Sequence, residues 1–420
     1  MAAIIKQQFR TENAANFVAS FTTNPTYMMI GQTRPWVASS EYPTASDTTP
    51  PTPEDTYSQI FRTFKGSIAA KRIQANDVIQ GVSRFNWVTG TAYIQYDSED
   101  QALFGKAFYV MTPSFKVYKC LFNNFGGLST VEPTGTSTAH FTTADGYVWK
   151  YMYSISTGSV LKFLNDSFIP VESDSVVSAA SVVGQIFSAV VVDGGSGYTN
   201  GSQTCTITGN GTGATAVATV VSGVITKITI TAVGSGYTYA TLSVAGGTGF
   251  VGYVNLAPIG GHGKNVYDEL GGFYTIAAVS LTATEGGDFS VLNDYRSISM
   301  LRNPLASDNI TSFVGTTANM TTRVNVVSST GFVVDSKVTV GAVSAYIVEV
   351  GVGYLLVNDI FGTMPSSGSI IGDLGGSTTI TSLVQPEIYT NSGKILYIEQ
   401  RTPIQRAAGQ TETIRVIFEY

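Results

Sequence analysis

Residues 187–257 carry only two charged groups, Asp193 and Lys227, and within them Gly195-Ser-Gly-Tyr-Thr199 returns as Gly234-Ser-Gly-Tyr-Thr238. Each copy is preceded by an apolar β-branched run, Ala189 to Val192 and Ile225 to Ile230. Each leads through an alternating segment to a Gly-Thr-Gly turn, at Gly211–Gly213 and Gly247–Gly249. One copy amounts to about two hairpins, too little to bury its own apolar face, so the copies are predicted to pack together as one β module. The stretch from about 308 to 385 has a similar texture. Its short strands, such as Lys337–Val340 and Tyr346–Val350, lie between Gly and Ser turns.

The rest of the chain points the same way. Only 12% of its 420 residues are charged, about half the usual share. Ser, Thr, Asn and 44 glycines make up the difference, as suits short strands joined by tight turns. Strands are predicted at Thr91–Tyr96, Phe108–Met111, Phe115–Phe122, Tyr147–Tyr153, Lys394–Glu399 and Thr411–Tyr420. The last has Ile414, Val416, Phe418 and Tyr420 on one face. Helical signals are confined to the start. One short amphipathic helix is expected to open at Thr11-Glu12-Asn13, with Phe17 and Phe21 a turn apart. A second is expected from Thr52, as cap, and Pro53, with Ile60, Phe61 and Phe64 as its apolar side.

The predicted fold is mainly β and multidomain: a discontinuous, β-sandwich-like core with a small helical N-terminal part and two inserted β-rich modules. The core comprises residues 1–186, 258–307 and 386–420, and the modules span 187–257 and 308–385. Residues 1–175, 258–306 and the C-terminal strands are expected to form one body.

A net charge of −6 does not suit a protein held on nucleic acid by phosphate contacts. No apolar run approaches the length of a membrane span, and Met1 to Arg10 lacks the apolar core of a secretory signal. A soluble chain made in a cytoplasm is expected, without nucleic-acid or membrane partners. Cys120 and Cys205 form no zinc motif and read as buried apolar residues.

Chemical motifs are scarce. His140 and His262 stand alone in loops and read as surface or capping groups. Gly260-Gly-His-Gly-Lys264 departs from a phosphate loop at Pro258 and Asn265 and reads as a turn between domains. Asp97, Glu99 and Asp100 form an acidic cluster that reads as a solvated turn rather than an acid/base pair. No Gly-x-Ser-x-Gly elbow is present. No catalytic, cofactor-binding or metal-binding residue is therefore assigned, and no enzymatic activity is expected. Tyr198 and Tyr237 could stack on sugars at loop tips or lie back over their own hairpins, and packing is the preferred reading.

An ordered set of motifs resembles one family. It runs through Phe9-Arg-Thr-Glu12, Gly31 to Trp36, Ser83-Arg-Phe-Asn-Trp87, Val117-Tyr-Lys-Cys-Leu121, Val131-Glu-Pro133 and Asp145-Gly-Tyr-Val-Trp149. It continues through Arg296 to Leu305 and Ser392 to Ile404, and ends with Gln410-Thr-Glu412 and Ile417-Phe418. In order and spacing these stretches are similar to the baseplate wedge subunit, number eight type, of T-even-like contractile-tailed bacteriophages. The resemblance spans roughly 1–175, 258–306 and 387–420. It implies a β-rich structural protein of the virion, located in the tail baseplate. Such a protein pairs as a homodimer, binds other wedge subunits and helps transmit the change that triggers sheath contraction. The two β-rich stretches depart from the family's type member and resemble the long form found in cyanophages. The alternative, from another class, is a glycan-binding or glycan-cleaving tail protein that uses the repeat module.

Overall fold

A computed structural model describes residues 4–39 and 42–420. Strands hold 44% of the residues and helices 13%, so the chain is a multidomain, mainly β protein. Its contacts divide it into two units. The first comprises the chain up to Phe17, Ile79–Ile276 and Ile417–Tyr420; the second comprises Val18–Val78 and Ala277–Val416. The single core body expected from the sequence is thus two discontinuous units. Each is organised around apolar clusters of its own.

In the first unit, the sheet that positions the site has the order Tyr109–Met111, Lys116–Phe122, Val148–Ser154, Phe141–Thr142. Lys116–Phe122 is buried on both faces, which explains why its apolar run does not simply alternate. Val117 packs into a cluster with Tyr109, Met111, Met152 and Tyr153. On the opposite face Tyr118 and Cys120 join Tyr93, Tyr147 and Trp149. Residues 91–96 do not form the expected strand. They are held at single points: Tyr93 N–H to Tyr147 Oη (3.1 Å), Ile94 N–H to the Ala107 carbonyl (3.1 Å) and Tyr96 N–H to the Cys120 carbonyl (2.8 Å).

The first helix runs Gln7–Ser20 and so begins before Thr11. Thr11 does not cap it but donates its hydroxyl to the Gln7 carbonyl one turn back (3.2 Å). Arg10 reaches Glu419 (2.7 Å), and Phe17 meets the Phe418 ring edge-on at 5.3 Å. The C-terminal strand, Thr411–Glu419, buries Ile414 and Val416 in the expected alternation.

The repeat module is built by exchange between its copies. Ile186–Ser196, from copy one, pairs with Thr248–Leu256, from copy two. Val224–Ser235, from copy two, pairs with Thr212–Val221, from copy one. The middle strands, Gly201–Gly209 and Ala240–Val244, pair with each other. Gly197 and Gly236 both adopt φ of +79°, a conformation that glycine reaches without strain. Each turn delivers its tyrosine onto the other copy. A Cβ on Gly247 would lie 2.6 Å from the Tyr198 ring, and one on Gly211 would lie 2.4 Å from that of Tyr237. Both tyrosines are 5% exposed. They are packed as expected, though over the partner copy's turn rather than their own hairpins.

In the second unit, a five-stranded sheet has the order Thr317–Asn319, Ser67–Arg72, Thr26–Gly31, Tyr295–Arg302, Lys394–Ile404. Tyr27, Met29, Ala70 and Leu301 contribute to its core. The helix Tyr57–Gly66 is capped by Thr56, whose Oγ1 accepts the Gln59 N–H (3.2 Å). Thr52 is therefore not the cap, and Phe64 is buried while Phe61 is 47% exposed. A closed six-stranded barrel runs from Thr322 to Val384 around Val324, Val338, Ile347, Leu355, Val357 and Ile370. The strand Thr317–Asn319 lies within the expected 308–385 module yet belongs to the five-stranded sheet.

Candidate functional site

The most unusual chemistry is a buried charge cluster in the first unit. Lys119 lies mid-strand between Tyr118 and Cys120 and is fully buried, as is Glu269 on the short helix Val266–Leu270. Their Nζ and Oε2 are 2.9 Å apart. The loop Gly260–Lys264 folds around this carboxylate. Gly263 N–H donates to Oε1 (2.8 Å) and Oε2 (3.0 Å), and Asn265 N–H to Oε1 (3.2 Å). Both carboxylate oxygens are thereby occupied, as a buried charge requires. The loop is a carboxylate cradle, not the plain turn expected from the sequence.

His262 is a correction of the same kind. Its side chain is 4% exposed, with Nδ1 4.0 Å from Glu269 Oε2, too far for a hydrogen bond. Its ring meets Tyr96 edge-on at 4.9 Å and Phe187 at 5.5 Å. His140, exposed in its own loop, also meets the Phe187 ring edge-on, at 4.6 Å. Lys150, on Val148–Ser154, is 5% exposed and donates to the Thr138 carbonyl. His140, Lys150, His262, Gln185 and Phe187 line one cavity of about 210 Å³. The chain's two histidines, far apart in sequence, thus share a single pocket.

Burial governs the electrostatics. It lowers the pKa of Lys119, which the Glu269 charge opposes, and likewise that of Lys150. His140 is held below 6.5 by desolvation and by Lys150. His262 is held well below it by complete burial and then by Lys119, Lys150 and His140. Both imidazoles are neutral at pH 7.

The other singled-out residues have structural partners. Asp97 accepts Glu99 N–H (2.9 Å) and the Tyr253 hydroxyl (2.9 Å), which ties the repeat module to this loop. Asp100 pairs with Lys106 at 2.5 Å, and this bond lowers its pKa. Cys120 and Cys205 are buried free thiols. Among the described residues, no group of three or more His, Cys, Asp or Glu could hold a metal ion, and no helix is long and apolar enough to cross a membrane. Sequence reasoning missed Lys119, Lys150 and Glu269. The available signal was a lysine at the centre of each of two strands otherwise rich in aromatic and apolar residues. No family model and no curated protein matches the chain.

Proposed function

We propose that this chain is a non-catalytic structural subunit of a contractile phage tail baseplate, of the wedge type described above. In this reading it acts as a homodimer in the virion, binds other wedge subunits and relays the change that triggers sheath contraction. The observation that carries the reading is where the resembling stretches meet. The first supplies Thr26–Gly31 and Ser67–Arg72 to the five-stranded sheet, the second Tyr295–Arg302, and the third Lys394–Ile404. Segments separated by hundreds of residues, and by both β-rich stretches, pair directly in one sheet. That is the arrangement expected of an old core carrying later insertions. The low content of charged residues, 12%, suits such a part, because it lessens the desolvation cost of large permanent interfaces.

The glycan reading loses its stacking groups, since Tyr198 and Tyr237 are buried. The test is assembly. Purified protein should have twice the 44.5 kDa chain mass and co-sediment with the remaining wedge subunits of its own particle. A monomer at micromolar concentration that joins no wedge complex would overturn the proposal.

A further inference from the structure

We propose that the cavity bounded by His140, Lys150 and His262 binds a small oxyanion of the phosphate class. The argument begins with an excess of positive charge. Lys119 and Lys150 are both buried beside one carboxylate, Glu269, whose oxygens are taken by Lys119 and two backbone N–H groups. Among the described residues no carboxylate lies within 4.0 Å of Lys150, whose hydrogen-bond partner is the Thr138 carbonyl. An ammonium carries three donors, so this one has spare donors and no anion.

A second observation concerns the two imidazoles, whose residues both line this cavity, with His262 Nδ1 on the Glu269 side, 4.0 Å from Oε2. Neither imidazole makes a hydrogen bond among the described residues, and His262 Nδ1 is fully buried without a partner. A buried polar ring left unpaired is costly unless something answers it. A neutral imidazole still has one N–H to donate, and an adjacent anion favours the doubly protonated form. His140 at the rim, Lys150 and His262 come from three separate segments. The Gln185 amide lines the same cavity. Donor-bearing residues from separate segments that line one cavity suit the oxygens of a tetrahedral anion, with lysine as the point charge. The cavity volume of about 210 Å³ leaves room for such an ion and its waters. This inference stands apart from the assembly proposal, since it depends only on the first unit.

With only two histidines in the chain, isotope labelling gives two imidazole signals that report on the site directly. Titrating the intact protein with inorganic phosphate at constant ionic strength should move both signals saturably, in the millimolar range or below. Sodium acetate, run in parallel, should bind more weakly. Lys150→Met should weaken phosphate binding by about tenfold or more. His140→Asn, at an exposed position that tolerates change, should weaken it measurably in a fully folded protein. Signals that do not saturate, equal or tighter binding of acetate, or phosphate binding unchanged in His140→Asn would each overturn the proposal.

Discussion

Glu269→Gln is the sharpest perturbation of the first unit. The substitution keeps size and one acceptor oxygen for Gly263 N–H, but removes the charge paired with Lys119, whose side chain is 0% exposed. Breaking a buried pair from one side costs about 3–5 kcal/mol, because the remaining charge is left without compensation. Against a typical total of about 5–15 kcal/mol, that is a large share of a domain's stability. A melting point lower by about 10 °C is expected. Guanidinium unfolding followed by tryptophan fluorescence reads this locally. In a Trp36→Phe background the remaining reporters, Trp87 and Trp149, both lie in the first unit. The Lys119→Met/Glu269→Gln double variant removes the stranded charge and should recover most of the loss. The single variant's deficit should also depend on pH. Burial holds Lys119 below its ordinary 10.5, so the unfolded chain binds more protons between the folded pKa and that value. Loss of the Glu269 charge, which opposes this lowering, should drop the Lys119 pKa further, so the penalty should shrink as pH rises from the variant's folded pKa to the wild type's. A loss under about 1 kcal/mol, or a double variant no better than the single one, would refute the reasoning.

Three further outcomes follow from the same structure. His262 is kept neutral well below pH 6.5, so the unfolded chain takes up protons first and stability should fall as pH drops below 6.5; His262→Gln should flatten that acid limb in pH-dependent melts. Because Tyr198 and Tyr237 occupy equivalent, exchanged positions, Tyr198→Ala and Tyr237→Ala should each cost about 3–5 kcal/mol by chemical denaturation, and strongly unequal losses would contradict the two-copy architecture. Arg296 donates to both oxygens of Asp47 (2.8 and 2.9 Å) and to the Thr33 carbonyl, so Arg296→Lys should cost about 2 kcal/mol. Its hydrogen bond also lowers the Asp47 pKa below 3.8, so the pair's stabilisation should be present above that pH and fade as acid titrates the carboxylate.

The β character and the position of the repeat module were legible because strand texture and exact repetition are local properties. The exchange of strands between copies was not, because the partner of Ile186–Ser196 begins at Thr248 and either pairing satisfies the same alternation. Thr91–Tyr96 has strand composition yet lacks a ladder, since tertiary contacts to Ala107, Cys120 and Tyr147 claim its N–H groups. The true cap of the second helix had a readable signature in Thr56-x-x-Gln59. Pro53, which suits a first helical position, drew the expected start four residues too early. His262 looked like a lone loop histidine because its environment comes from Tyr96, Lys119, Lys150 and Phe187, none of them near it in sequence. Such a site is created by topology, and composition carries little trace of it.

The most direct test of the structural-subunit account is a cryo-EM map of purified tailed particles that carry this chain. The account predicts paired copies in the baseplate around the tail axis, with the five-stranded sheet and the six-stranded barrel each fitting density next to other wedge proteins. Particles with complete baseplates in which no density accommodates these units, or in which the chain occupies the capsid or a receptor-binding fibre, would contradict it.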